Sequence, residues 1–427
     1  VKSQDFYCQD IISFRKKALQ WADIHYDTYM LLNGNGYDSL YGSFPDMLAI
    51  GRKNEVKANQ YCFDELESFV NKPHNGLFGF LTYDLKNEIE KLTSLNEDVV
   101  KFPALHFFEP QVVIRFDKSG LFNINAESPV DIYNLIIEFE APVSKAKFNL
   151  NQLIQHTSQE EYIEDVRNII NHIEDGDIYE LNYCISFSSK EADIDVLNLY
   201  LKLNELAPTP FSTLYKSGIH SIISASPERF LKKTGHTILS QPMKGTIGRG
   251  TSKTEDIELA NKLRNSEKEV AENMMIVDLV RNDLAKSCKA GTVRVDDLFG
   301  VYQFPTVHQM ISTISGKLKE EISLVEIIKN AYPMGSMTGA PKIRAMELID
   351  QFEKFKRGPF SGAAGYIAAN GDFDLNVLIR SVFYNKEEKH LTFAVGSAIT
   401  YDSAAEQEYN ECLLKAEFML KLLSQKL

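Results

Sequence analysis

Residues Gly362–Thr400 read GAAGYIAANGDFDLNVLIRSVFYNKEEKHLTFAVGSAIT. Three runs, GAAGYIAA, LNVLIRSVFY and LTFAVGSAIT, are rich in residues that suit strands, and the first is closed by the turn Asn370-Gly371-Asp372. Strands that follow one another as a meander pair antiparallel. The helix EQEYNECLLKAEFMLKLLSQ follows from Glu406. Upstream, IISASPERFLKK (from Ile222) reads as strand and turn, and QPMKGTIGRG (Gln241–Gly250) as a glycine-rich loop. A long helix over about Asp256–Leu284 comes next, then strands at TVRV and HQMISTISGKL and helices at SLVEIIKNAY and APKIRAMELIDQFE. Strands outnumber helices and do not alternate with them strictly, so the predicted class is α+β with large, mainly antiparallel sheets.

Nearer the start, FGFLTYDL, FFEPQVVIRF and LFNINA read as strands between turns such as NGNG (Asn33–Gly36) and HNG (His74–Gly76). Composition turns polar over Lys145–Gln159, and EEYIEDVRNIINHIEDGDIYELNYCISF then reads as helix, Asp-Gly turn and strand. A soft boundary near residue 150 divides a sheet-rich N-terminal region (1–150), integral to the fold, from 151–427. No fixed-period repeat or low-complexity tract interrupts either part.

The 427 residues suffice for a substantial core. The 46 Lys and Arg against 59 Asp and Glu give a net charge of −13, which argues against nucleic acid as a partner while permitting a local basic pocket for a small anion. Five scattered cysteines without a CxxC predict a reducing, cytoplasmic setting. The first residues lack the apolar core of a secretory signal, and no run reaches the roughly 18 apolar residues of a membrane span, so no membrane is expected as a partner.

Two helices carry paired carboxylates. In SEKEVAENMMIVDLVRND, Glu269 and Glu272 are three residues apart and share a face; Glu408 and Glu411 repeat the spacing, with Lys415 four beyond Glu411. Converging in one cleft, the pairs would make an all-oxygen site for a hard cation such as magnesium. The commoner alternative is two polar faces turned to water. A di-iron bundle needs Glu-x-x-His, which is absent from these pairs.

The loop Gln241–Gly250 lacks the order of a phosphate-binding loop. Its Lys244 is open to three readings: a surface charge, an anion contact, or a nucleophile if its pKa is lowered. Glu228 in SPER is an acid or base, or a salt-bridged turn residue. His308 lies in a strand, where a lone histidine is more often structural. MGSMTGAPK (Met334–Lys342), which contains Ser336 and Thr338, leads into a helix whose start offers a carboxylate seat.

SPERF, QPMKGTIGRG, SEKEVAENMMIVDLVRNDL, MGSMTGAPKIRAMELID, GAAGYI, LIRS, GSAITYDS and EQEYNECLLKA together resemble the chorismate-utilising enzymes. The resemblance runs from about His156 to the C-terminus. It implies large sheets packed face to face with helices outside, and Glu272 and Glu411 as magnesium ligands with Glu269 and Glu408 beside them. It further implies that Arg380, Lys415 and the backbone of Gly396, Ser397 and Ala398 hold the carboxylates of chorismate, together with Ser336 and Thr338. Thr246 and His308 would line the ring pocket, and Glu228 would help hydroxide leave ring carbon four.

Lysine at 244 is similar to the aminodeoxychorismate synthase branch; the anthranilate and salicylate branches usually have alanine. In that branch the lysine attacks ring carbon two and ammonia then adds at carbon four, giving 4-amino-4-deoxychorismate for 4-aminobenzoate and folate synthesis. The resemblance therefore implies a catalytic Lys244 present as a free amine, with anthranilate synthase component I and a non-catalytic chorismate-binding subunit as alternatives. Three positions depart from the pattern. Glu180 replaces a usual glutamine (lysine in the isochorismate branch), Phe360 a usual tyrosine, and Ile247-Gly248 a commoner arginine or aspartate followed by proline. No glutaminase residues are visible, so ammonia would come from solution or from a glutamine amidotransferase subunit.

Overall fold

The computed structural model describes residues 1–37, 40–142, 148–304 and 307–424; Lys145, where the polar stretch begins, and Gln425, at the end of the last predicted helix, lie outside them. Two antiparallel sheets carry the chain. In the larger, strands Thr28–Asn33, Phe211–Ser217, His220–Ser226, Ser381–Asn385, His390–Ile399 and Glu180–Ser189 are neighbours in that order. In the other, Met243–Gly248, Val307–Lys317, Thr237–Gln241, Arg229–Thr234, Phe373–Val377, Ala363–Ile367 and Leu77–Leu81 follow one another. Strands from either side of residue 150 pair in both sheets, Thr28–Asn33 with Phe211–Ser217 and Leu77–Leu81 with Ala363–Ile367.

Side chains alternate between two cores because successive Cβ atoms point to opposite sheet faces. Met30, Leu32, Ile222, Phe383 and Leu375 enter one cluster with Phe78, Phe80 and Phe230, between the sheets. Tyr29, Leu31, Ile223, Val382 and Tyr384 enter the other, on the outer face of the larger sheet. There the helices Ile11–His25, Gln159–Glu174, Val196–Leu206 and Ala405–Ser424 cover them through Trp21, Tyr162, Leu203 and Cys412. Strands buried on both faces are apolar at consecutive positions, as Thr28–Asn33, buried throughout, is over Tyr29–Leu32.

Three runs pass from one sheet to the other, one of them, IISASPERF, at the turn expected there. FFEPQVVIRF divides into Leu105–Glu109 and Val112–Phe116 at Pro110, IISASPERF into His220–Ser226 and Arg229–Thr234 at Pro227-Glu228, and LNVLIRSVFY into Phe373–Val377 and Ser381–Asn385 at Leu378–Arg380. The helix expected over Asp256–Leu284 is two, Lys253–Arg264 and Glu267–Ser287. Asn265 closes the first, and Ser266 caps the second by accepting the Glu269 N–H. Among the described residues no helix is long and apolar enough to cross a membrane.

Beside the second crossing, the fully buried Arg229 donates from Nε to Asp374 Oδ1 (2.8 Å) and from Nη2 to Asp374 Oδ2 (3.0 Å), and its Nη1 donates to Gln241 Oε1. Asp374→Asn leaves the guanidinium buried without its charge partner. Urea unfolding should show a loss of about 3 kcal/mol or more, against under about 1 kcal/mol for Asp278→Asn in the exposed pair with Arg281.

Candidate active site

The two central crossings lie side by side and deliver two of the expected residues. Ser226 Oγ donates to the Val377 carbonyl (2.6 Å), the Val377 N–H to the Glu228 carbonyl (3.0 Å) and the Ala225 N–H to the Arg380 carbonyl (3.1 Å). Arg380 has φ +50°, a left-handed conformation that lets the chain reverse between sheets. Among the described residues its guanidinium makes no hydrogen bond or ion pair; desolvation pulls its pKa down to about 10 against the opposing pull of Glu228 and Tyr37. Such a cation is a ready receptor for a carboxylate. Glu228 accepts a hydrogen bond from Ser336 Oγ (2.6 Å) in the Met334–Lys342 loop, and burial pushes its carboxyl up to about 7.

Lys244, on the strand Met243–Gly248, donates from Nζ to Glu180 Oε1 at 2.6 Å; the two side chains are 10% and 1% exposed. Glu180 opens the strand Glu180–Ser189, and its buried Oε2 has no hydrogen-bond partner among the described residues. Desolvation alone would lower the lysine pKa, but Glu180, Glu272 and Glu228 together outweigh it and raise it above its ordinary value. The free amine expected at Lys244 is thus corrected: a carboxylate at hydrogen-bond distance holds it as an ammonium. The next residue, Gly245 (φ +82°), permits a close approach, because a Cβ there would stand 2.8 Å from Glu269 Oε2.

The helices Glu267–Ser287 and Ala405–Ser424 bring their carboxylates toward one region. Burial and then the charge of Glu411 raise Glu269; Glu272 is raised to about 7 by burial first, with Glu180 and Glu269 adding to it. Lysines pair with three of the helix carboxylates. Lys268 Nζ is 2.9 Å from Glu408 Oε1 and 3.8 Å from Glu272 Oε1, and Lys415 is 2.7 Å from Glu411 Oε1. Among the described residues no three acidic, histidine or cysteine side chains stand close enough together to hold a metal. The donor set nevertheless suits a hard cation, since Glu272 and Glu408 are both buried and each keeps one oxygen without a hydrogen bond.

The remaining expected residues divide. Lys415 also donates to the Gly396 carbonyl (2.9 Å), Ser397 Oγ is bonded to Tyr162 OH (2.9 Å), and Ala398 pairs with Asn182 across the strands. Thr338 Oγ1 donates back to Gly335 within its own loop (3.2 Å). Thr246 is exposed and stands opposite Gln309, whose buried Oε1 has no hydrogen-bond partner among the described residues. His308 Nε2 is engaged by Asp256 Oδ1 at 2.9 Å, beside the Arg249–Asp256 ion pair. Phe360 packs against Phe355 and lines a cavity with Phe383 and Phe393.

Sequence reasoning missed three supports. Lys268 was legible as a partner four residues before Glu272 but has no spacing signal toward Glu408. Arg357, fully paired with Glu353, donates to the carbonyls of Met337 and Asn182 and ties the Met334–Lys342 loop to the strand bearing Glu180. Gln309 reads as one more polar residue in an apolar strand.

An arginine that makes no hydrogen bond or ion pair among the described residues, a protonatable glutamate and an ammonium set among carboxylates stand together at the crossing of two sheets. The chain belongs to the family of chorismate binding enzymes, whose model matches residues 37–421. It is 43% identical over 387 residues to an aminodeoxychorismate synthase, chloroplastic, of Arabidopsis thaliana, covering 85% of this chain but 42% of that protein. It therefore spans under half the length of that relative. It is 33% identical to aminodeoxychorismate synthase component 1 of Escherichia coli, covering 82% of this chain and 77% of the relative. The solved anthranilate synthase component I of Streptococcus pneumoniae is 27% identical and superposes with a TM-score of 0.79, over 90% of this chain and 93% of that one.

The Glu228 carboxyl gives a stability prediction. Its pKa rises from 4.5 to about 7 on folding, so the folded state binds the extra proton and stability falls as pH rises from 4.5 to 7. Glu228→Gln keeps the shape and lacks that fall. By urea unfolding the two proteins should match near pH 4, and the variant should be more stable by roughly 3 kcal/mol at pH 8.

Proposed function

We propose that this chain aminates chorismate to 4-amino-4-deoxychorismate, using ammonia supplied by a separate glutamine amidotransferase subunit. The observation that carries this reading is a buried lysine, Lys244, directed at Glu180 and flanked by Glu228 in a site that offers Arg380 to a carboxylate. The relatives named aminodeoxychorismate synthase support it, and component 1 in the Escherichia coli protein's name speaks for a partner. Five free cysteines favour a reducing, cytoplasmic compartment.

Chemically, Arg380 fixes one carboxylate of the substrate, and the carbonyl-to-lysine contact at Gly396 keeps Lys415 beside the other. Glu228 is protonated below about pH 7 and donates that proton to the hydroxyl departing from ring carbon four. Lys244 attacks carbon two as that hydroxyl leaves as water, and ammonia then adds at carbon four and displaces the lysine. Glu272, Glu408, Glu269 and Glu411 would hold a magnesium ion, which when bound supplies positive charge for the ring carboxylate.

Incubation of the purified chain with chorismate, magnesium and ammonium should give 4-amino-4-deoxychorismate, read by mass and by conversion to 4-aminobenzoate with an added lyase. Anthranilate as the main product overturns the reading. Glutamine should replace ammonium only when an amidotransferase subunit is present.

A second expectation concerns the cation. Glu272→Gln and Glu411→Gln should keep the circular dichroism of the parent yet lose at least about 100-fold in kcat/KM and weaken magnesium binding in calorimetry. Full activity of either variant in excess chelator would contradict it.

A further inference from the structure

Lys244 presents a difficulty that the proposed reaction must resolve. A nucleophilic amine needs its lone pair, yet this lysine is an ammonium bonded at 2.6 Å to a carboxylate that is itself 1% exposed. Water is largely excluded from the pair, so bulk solvent is poorly placed to take the proton. The other groups facing Lys244 are Glu228 at the inter-sheet crossing, Glu269 and Glu272 on one helix and Glu411 on another. Each favours the ammonium by its charge, and none is hydrogen-bonded to Nζ. Glu180 alone has both contact with the proton and the capacity to receive it. Its second oxygen, buried and unpartnered, is free to accept a further N–H or O–H.

We infer that Glu180 is the proton acceptor that activates Lys244, a role that rests on the lysine being the nucleophile of the proposed amination. The Nζ–H bond breaks as a bond to Glu180 Oε1 forms, leaving a neutral amine and a neutral carboxyl. The amine lone pair makes the bond to carbon two while the hydroxyl leaves carbon four as water with the proton of Glu228. Ammonia next adds at carbon four, and Lys244 departs from carbon two as a neutral amine. Glu228 then removes a proton from the new ammonium group, and Glu180 returns its proton to Lys244. The sum is chorismate and ammonia in, aminodeoxychorismate and water out, with both carboxyl groups and the lysine restored.

This exchange also explains why glutamate is workable where related aminating enzymes usually have glutamine. A glutamine would leave the lysine facing one carboxylate fewer. A glutamate holds the ammonium more firmly and takes the proton away when the bond is made.

The pair gives the inference a distinct pH signature. Transfer from Lys244 to Glu180 conserves the number of bound protons, so the reactive form is a constant fraction of the enzyme over neutral and mildly alkaline pH. Without Glu180 the proton must leave for solvent, and the reactive fraction grows tenfold for each pH unit below the lysine pKa. The experiment measures the rate of the lysine adduct by intact-protein mass spectrometry, with chorismate and magnesium but no ammonia, for wild type and Glu180→Gln from pH 7 to 9. Taking the ratio of the two rates cancels the titration of Glu228.

The ratio of variant to wild-type rate should rise about tenfold per pH unit, and Glu180→Asp, which keeps a carboxylate, should show a flat ratio. A flat ratio for Glu180→Gln overturns the inference and leaves the lysine nucleophile standing. Absence of any adduct on wild type removes the nucleophile itself, and the inference with it. If Glu180→Gln does not fold, Glu180→Ala titrated with formate decides: an adduct rate that climbs with formate supports the inference, and no response overturns it.

Discussion

A chain that passes between two sheets must satisfy the backbone groups it withdraws from both ladders, and here two such passages satisfy each other. The Val377 N–H reaches the Glu228 carbonyl, the Ala225 N–H reaches the Arg380 carbonyl, and Ser226 Oγ covers the Val377 carbonyl. Buried backbone polar groups left without partners are costly, so neither crossing could take this path without the other. Glu228 and Arg380 are the side chains these bends carry. Glu228 and Arg380 therefore sit at strand ends that the paired bends hold side by side.

Around that point the dominant problem is buried negative charge. Glu180, Glu228, Glu272 and Glu408 are all nearly inaccessible to water. Isolated carboxylates there would be expensive, and the structure answers in three ways. Lys244 neutralises Glu180, Lys268 spans Glu408 and Glu272, and Glu228 takes up a proton near pH 7. Among the described residues, Glu272 Oε1 and Glu408 Oε2 still accept no hydrogen bond. A divalent cation would complete that balance with oxygen ligands already in the right helices, and Lys268 would then have to yield some of its contacts.

Much of this was legible in the sequence, for definite reasons. The Glu-x-x-Glu spacing fixes a shared helix face, and the strand meander of Gly362–Thr400 fixes antiparallel pairing; both depend only on local geometry. The sheet crossings were only partly legible: Pro227-Glu228 reads as a turn, whereas LNVLIRSVFY looks like one strand because apolar residues run up to Arg380 and resume beyond it, although Arg380 turns it into two. The break at Asn265-Ser266 was legible in principle, as a good cap after a polar residue, but the continuous helical pattern on either side hid it. The charge state of Lys244 was hidden more deeply. Its controlling partner, Glu180, lies 64 residues away in sequence, and no local pattern links the two.

Arg380 carries two local costs at once. A non-glycine residue at positive φ is strained, and a desolvated guanidinium without a partner is strained electrostatically as well. Both costs are met during folding by the surrounding sheets, whose strands continue on either side of the bend. A carboxylate arriving at Arg380 consequently forms a charge-assisted pair with little further ordering of the protein, so most of the interaction appears as binding free energy. The ammonium of Lys244 follows the opposite strategy. It is paired in advance with Glu180 at 2.6 Å. Arg380 and Lys244 thus differ in what the fold places opposite each: among the described residues, no hydrogen-bond or ion-pair partner for the first and Glu180 for the second.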